Sequence, residues 1–327
     1  MGGVLVMRKV LVTGAGGFIG HHLVKDLVRR GHEVIAVDRK LPEFEKSAAS
    51  RFVLQDLRET TAEWESLFLG VDDVYALAAD MGGMGFISRN HADIMRDNTR
   101  IDINTLEAAR KAKVGRLLYT SSACVYPEHL QEAEAAIPLA ETMAYPAKPQ
   151  DGYGWEKLYA EQLCHYYRLE HGVDTRIVRF HNIYGPLGAW QGGREKAPAA
   201  LCRKVAEACL KGRDSIQIWG DGRQTRSFCF IDDCIQGLAR ILESGYTEPL
   251  NLGRDEMVSI NELARLIFEV AGAELRIEHI EGPQGVRGRN SDNKRLAEVT
   301  GFTPSISLRQ GIAATYGWIE AQVRAGI

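Results

Sequence analysis

No uninterrupted apolar run in the chain approaches the roughly 20 residues that a membrane-crossing helix needs. The opening stretch Met1-Gly2-Gly3-Val4-Leu5-Val6-Met7 is too short for a secretory hydrophobic core and runs straight into a strand-like segment. Neither sign of charge dominates. Lys and Arg total 40 against 43 Asp and Glu, a formal net charge of −3, so there is no overall basic field for wrapping nucleic acid and no acidic tail. Cysteine is sparse. The six residues (Cys124, Cys164, Cys202, Cys209, Cys229, Cys234) form no C-x-x-C pair and no zinc spacing, so no metal site is expected. They read as free thiols in a reducing compartment, which makes the cytoplasm the expected location. What remains is 45% hydrophobic and 25% charged over 327 residues, the balance of a soluble protein with a sizeable core. That length is long for one domain and short for three.

The first half alternates β-branched runs with longer amphipathic stretches. Strands are predicted at 9–13, 33–37, 51–55, 73–77, 116–120 and 175–180, and helices over about 18–30, 92–111 and 154–171. Strands that are apolar throughout, alternating with helices, predict an α/β fold with a doubly wound parallel sheet buried on both faces. After about Asn182, Gly, Pro and charged residues become denser, and helical patterns recur near 197–211, 232–243, 260–271 and 308–323. We therefore expect a Rossmann-type unit over 1–182 and a smaller, mixed α/β substrate lobe over 183–327, with possible return segments to the first unit. The cleft between them is the expected ligand site.

Gly14-Ala15-Gly16-Gly17-Phe18-Ile19-Gly20 sits between the first strand and the first helix. Glycines there let the backbone turn tightly and approach a pyrophosphate, which rests on the helix N-terminus. A bare glycine pattern is often an ordinary turn. Here a strand precedes it, a helix follows it, and Asp38 ends the second strand eighteen residues beyond Gly20. A carboxylate at that place accepts hydrogen bonds from ribose hydroxyls and repels a 2′-phosphate, which favours NAD over NADP. Arg39 and Lys40 follow directly and soften the preference.

Tyr153 and Lys157 lie four residues apart, on one face of a helix. A phenol titrates near 10, too high for a base at neutral pH. A lysine ammonium one turn away, with a positive nicotinamide ring, lowers that pKa and lets the phenolate take a hydroxyl proton. Taken alone the pair reads as two exposed helix residues. Ser121 and Ser122, about thirty residues upstream at a strand end, supply the hydroxyl that makes it specific.

The G-x-x-G-x-x-G spacing and the Ser-Tyr-Lys set resemble the extended short-chain dehydrogenase/reductases. Within that superfamily the chain resembles the GDP-mannose 3,5-epimerase family from residue 9 to about 300. The matching blocks include 79–87 (Ala79-Asp80-Met81-Gly82-Gly83-Met84-Gly85-Phe86-Ile87), 121–128, 149–154, 179–186, 192–200 (with Arg194-Glu195-Lys196-Ala197-Pro198), 219–222, 224–228 and 285–293. Dehydratases of the superfamily carry an Asp-Glu pair where this chain has Ala123-Cys124.

The resemblance implies NAD as cofactor, held by Gly14, Gly17, Phe18, Ile19, Gly20, Asp38, Arg39, Asp56, Leu57, Ala78, Asn98, Tyr153 and Lys157. It implies Ser122, Cys124, Tyr153, Lys157 and Lys196 as catalytic residues, with Cys124 and Lys196 exchanging protons on opposite faces of the sugar. The implied substrate contacts are Gly82, Gly83, Ser122, Asn182, Glu195, Lys196, Lys204, Gln224, Arg226, Arg287 and Arg289. The substrate would be GDP-mannose or a related nucleotide sugar, and the protein a homodimer with no nucleic-acid or membrane partner.

Each residue also has a plainer reading. Cys124 alone is a small buried hydrophobe, Lys196 a solvated lysine, and each arginine a surface ion-pair partner. Glu195 tunes Lys196, binds sugar, or is a first-turn acid on the helix dipole. His181, after an apolar strand, reads as a hydrogen-bonded structural histidine. Two other functions stay open: epimerisation of a different nucleotide sugar, and a catalytically silent NAD-binding protein.

Overall fold

The computed structural model describes residues 6–282 and 285–326. Seven strands form its central sheet: β1 Lys9–Thr13, β2 Glu33–Asp38, β3 Arg51–Leu54, β4 Asp73–Ala76, β5 Arg116–Ser122, β6 Thr175–Phe180 and β7 Leu250–Leu252. Their spatial order is β7-β6-β5-β4-β1-β2-β3, and every pairing is parallel. The inner strands are largely apolar because both faces are covered. Leu11, Val12, Val34, Val74, Leu117 and Leu118 are fully buried, each stabilising the fold by roughly 2 kcal/mol relative to exposure.

The order reverses between β1 and β4, where helices leave on opposite faces and the strand ends open a crevice. Thr13 pairs with both Val37 and Ala76, so the carboxyl ends of β1, β2 and β4 are level. Helices Phe18–Arg29, His91–Ala112 and Gly152–His171 lie within a residue or two of the predicted spans. The last begins where the Asp151 carboxylate accepts from Gly154 N at 2.9 Å and ends at left-handed Gly172.

The second half folds around helices Ala197–Leu210, Ile260–Ala271 and Leu308–Gly326, which pack on one another. Ser259 and Glu262 cap the middle one reciprocally. The chain crosses between the lobes more than once. Pro138–Leu139 leaves the first half to pair with Gly288–Ser291 at the edge of a four-stranded sheet. In return β7 and helix Ile231–Glu243 come back to the central sheet, β7 beside β6. This interlacing holds the two sides of the crevice in register.

Candidate active site

A cleft of about 890 Å³ runs from the Gly14–Gly20 turn across the strand ends into the second lobe. At its first end the helix Phe18–Arg29 starts at Gly17 with no side-chain cap and no acidic residue in its first turn. Its leading N–H groups face the cleft, an arrangement suited to a phosphate. The close approach is built in: a Cβ on Gly20 would lie 2.2 Å from the Gly14 carbonyl oxygen. Asp38, at the end of β2, accepts from Gly16 N at 2.9 Å and Lys40 N at 3.1 Å. Burial raises its pKa, and those backbone donors oppose the rise. Uncapped helix start, backbone cradle and strand-end carboxylate together fit an NAD pyrophosphate and ribose.

At the centre, Ser122 ends β5, and its Oγ accepts from Cys124 N at 3.2 Å. Gly154 brings the Tyr153 helix directly against this turn, since a Cβ there would meet the Cys124 carbonyl oxygen at 2.2 Å. Tyr153, Cys124 and Ser122 are thereby held as neighbours along one cleft wall. Burial pushes the Tyr153 phenol above its ordinary pKa, while the Lys157 ammonium and Ser122 pull it down. Burial opposes the charge on Lys157, but Glu156 and Asp102 outweigh it and hold the ammonium charged. The protein by itself therefore leaves Tyr153 protonated at neutral pH, so the downward shift expected from the sequence needs the positive cofactor ring as well as Lys157.

Lys196 precedes the helix Ala197–Leu210. It is exposed and lines the cleft. The protein packed around it pulls the ammonium pKa below the usual lysine value, with Cys124 opposing. Burial likewise lowers Lys204, and pushes Arg226 down to about 9. Arg289 donates to Cys124 Sγ at 3.5 Å, and its Nη2 is buried with no partner. Among the described residues none of these four cations pairs with a carboxylate. The Gln224 Oε1 acceptor is also buried and unpartnered. A wall with several unneutralised cations and an orphaned acceptor is suited to a diphosphate ligand that also donates hydrogen bonds.

The cleft gathers all the predicted site residues except two. Asn98 lies behind the wall, where Oδ1 accepts from Asp80 N at 2.7 Å and Nδ2 donates to Glu156 Oε2 at 3.1 Å. Arg287 points away and forms ion pairs with Asp221 at 2.7 Å and Glu134 at 2.5 Å. Glu195 accepts from Gly193 N at 2.6 Å and Arg203 at 3.2 Å, and so shapes the loop that carries Lys196. Asn182 has φ of 45° and donates to the Ser227 carbonyl at 2.9 Å. His181 lies outside the lining. It is fully buried against Asn251 Oδ1 at 2.9 Å, and burial lowers its pKa to about 3.

Sequence reasoning missed two features. Arg194 donates to Asp80 at 3.0 Å and stacks 3.9 Å from the Phe86 ring centroid, clamping the 80–87 loop to the Lys196 loop. Behind Lys157, Tyr119, Asp102 and Glu156 form a buried polar cluster. Its members come from three elements, so no spacing rule announces it.

Residues 10–253 match the NAD dependent epimerase/dehydratase family. The chain belongs to that family, whose cofactor NAD suits the glycine turn and Asp38. It is 50% identical to GDP-mannose 3,5-epimerase of Arabidopsis thaliana, over 96% of this chain and 83% of that protein. GDP-mannose 3,5-epimerase 1 of Oryza sativa subsp. japonica is also 50% identical, over 96% and 82%. Among solved structures it resembles UDP-glucose 4-epimerase of Thermotoga maritima with UDP-glucose. There the TM-score is 0.85 and the identity 25%, over 96% of this chain and 99% of that one. UDP-glucuronic acid 4-epimerase of Bacillus cereus, in complex with UDP-glucuronic acid and NAD, gives a TM-score of 0.81 at 26% identity, over 96% and 99%.

Proposed function

We propose that the protein inverts C3 and C5 of GDP-mannose, giving GDP-L-galactose, with GDP-L-gulose as the product of C5 inversion alone. The observation that carries this reading is the placing of Cys124 and Lys196 along the same cleft as Ser122, Tyr153 and Lys157. Half-identity to plant GDP-mannose 3,5-epimerases over nearly the whole chain supports the substrate. Residues 1–182 then serve chiefly the cofactor and 183–327 chiefly the nucleotide sugar.

Ring C–H bonds at C3 and C5 are not acidic until C4 becomes a ketone, which makes both positions α to a carbonyl. When bound, NAD supplies the acceptor for the C4 hydride and gives the same hydride back, so net redox is zero. Tyr153, with Lys157 behind it, takes the C4 hydroxyl proton and later returns it. Ser122 and Tyr153 hold the C4 oxygen where negative charge develops in the enediolate. Cys124 and Lys196 are the proton pair: one removes the α-proton from one face, and the other delivers a proton to the opposite face. The lowered pKa of Lys196 makes its neutral form easier to reach than in a free lysine, which suits it to either role. Lys204, Arg226 and Arg289 hold the diphosphate end.

In heavy water, GDP-mannose turned over by the holoenzyme should gain solvent deuterium at C3 and C5. Binding without label at either position would refute the reading, and scrambling of C4 without label would mark a 4-epimerase. Cys124→Ala should abolish the exchange while bound NADH still forms. We also infer a cytoplasmic homodimer. The cysteines are unpaired among the described residues, and Met95, Trp155, Tyr159 and Tyr166 are exposed on helices His91–Ala112 and Gly152–His171. Sedimentation should give twice the chain mass.

A further inference from the structure

The groups behind Lys157 form a closed set. Lys157 Nζ donates to Tyr119 Oη at 2.9 Å, and Tyr119 donates to Asp102 Oδ2 at 2.9 Å. Glu156, the residue before Lys157, places Oε1 3.8 Å from Nζ. Its other oxygen accepts from Asn98. Asp102, Tyr119, Glu156 and Lys157 are all buried. Helix His91–Ala112 supplies Asp102, β5 supplies Tyr119, and helix Gly152–His171 supplies Glu156 and Lys157. The other titratable groups facing the set are Tyr153 and Cys164, both from the last helix.

Charge and hydrogen bonding make the same demand on this set. Two ionised carboxylates against one ammonium would leave a buried negative charge uncompensated, a state that a dry interior penalises steeply. Glu156 Oε1 is buried and has no hydrogen-bond donor among the described residues. Glu156 stands beside Asp102 and is among the groups that raise the Asp102 carboxyl above its ordinary pKa. Ionised carboxylates only accept, so two of them in contact need a proton between them.

We propose that Asp102 and Glu156 share one proton behind Lys157 and act as paired positioning residues, presenting a single negative charge that sets how strongly the ammonium acts on Tyr153. This rests on the reading of Tyr153 as the proton-transfer group. Burial favours the protonated form of Asp102. Losing either carboxyl leaves the cluster charge unchanged, because the remaining one ionises. Losing both leaves nothing to outweigh burial at Lys157, which then gives up its proton, and Tyr153 loses the field that favours its phenolate.

The test uses the NAD-loaded protein with Asp102→Asn, Glu156→Gln and both together, reading kcat/KM for GDP-mannose against pH. Each single variant should keep the acid limb within about 0.3 pH unit of the parent, while the double variant moves it up by about one unit. Infrared spectra of the parent near neutral pH should contain the carbonyl stretch of a buried protonated carboxyl, lost in either single variant. Additive shifts from the two singles, a limb fixed in all three variants, or no such band in the parent would each overturn the proposal. If the variants do not fold, the parent spectrum decides alone. Turnover surviving in Tyr153→Phe would instead remove the underlying role of Tyr153, while the infrared band would persist.

Discussion

The two ends of the cleft are suited to phosphate groups by different means. At the cofactor end the donors are backbone N–H groups of an uncapped helix, brought close by glycines whose missing side chains are filled by neighbouring main chain. At the sugar end the donors we assign are side chains, Lys204, Arg226 and Arg289, with no carboxylate to neutralise them among the described residues. The first kind of site is built into the fold, most tightly at Gly20, where a side chain cannot be added without disturbing the packing. The second hangs on a scaffold that survives its removal. This difference explains how one architecture serves UDP-glucose and UDP-glucuronic acid 4-epimerases and, on our reading, a GDP-mannose enzyme.

The sharpest way to break the comparison is to treat two glycines of the same turn alike. Gly20→Ala forces a methyl to 2.2 Å from the Gly14 carbonyl. It should cost about 3 kcal/mol of stability, as overpacking does, and cofactor binding with it. Gly17→Ala meets only the Gly14 carbonyl, at 3.3 Å. It should keep the parent melting temperature and lose NAD affinity alone. Thermal denaturation with NAD titration separates the two outcomes; an unchanged melting temperature in Gly20→Ala would show that the cofactor cradle is not part of the packing.

A smaller effect is expected at the other end. Arg226 donates to the Thr225 and Val286 carbonyls at 2.7 and 2.6 Å and has no carboxylate partner. Arg226→Met removes a desolvated cation that nothing in the free protein requires. It should raise KM by about 10- to 100-fold, the 1.5–3 kcal/mol of charge-assisted hydrogen bonds, with the melting temperature unchanged or higher. An unchanged KM would move the diphosphate elsewhere in the cleft.

The same contrast explains what the sequence could show. The parallel sheet, its helices and the glycine turn were legible because they rest on local periodicity and spacing. β1 carries the unbroken apolar run Val10-Leu11-Val12, and Asp38 closes β2 at the spacing the turn requires. Tyr153 and Lys157 were legible for the same reason, being one helical turn apart. The Asp102–Tyr119–Glu156 cluster was not, because its members meet only when two helices and a strand pack together. The strand Pro138–Leu139 was equally hidden, since its partner lies some 150 residues away, at Asn290 and Ser291. A basic residue in a matching block does not reveal which way its side chain turns, and Arg287 is the clearest instance.

Arg287 gives the smallest expected effect and the finest test of the comparison. Family resemblance places it with Arg289 as a substrate contact, yet here it bonds Asp221 through both terminal nitrogens and Glu134 through one. Those carboxylates raise its pKa and occupy the donors a phosphate would need. Arg287 and its partners stand at or near the protein surface, where such pairs contribute about 0–1 kcal/mol. Arg287→Met should therefore change KM less than about threefold, with a loss of stability within the same bound that shrinks as salt is added. A KM effect matching that of Arg226→Met would mean that Arg287 leaves Asp221 and Glu134 when the nucleotide sugar binds. The sugar wall would then be rearranged by its ligand rather than ready for it, and Asp221→Asn, which frees the guanidinium, would lower KM.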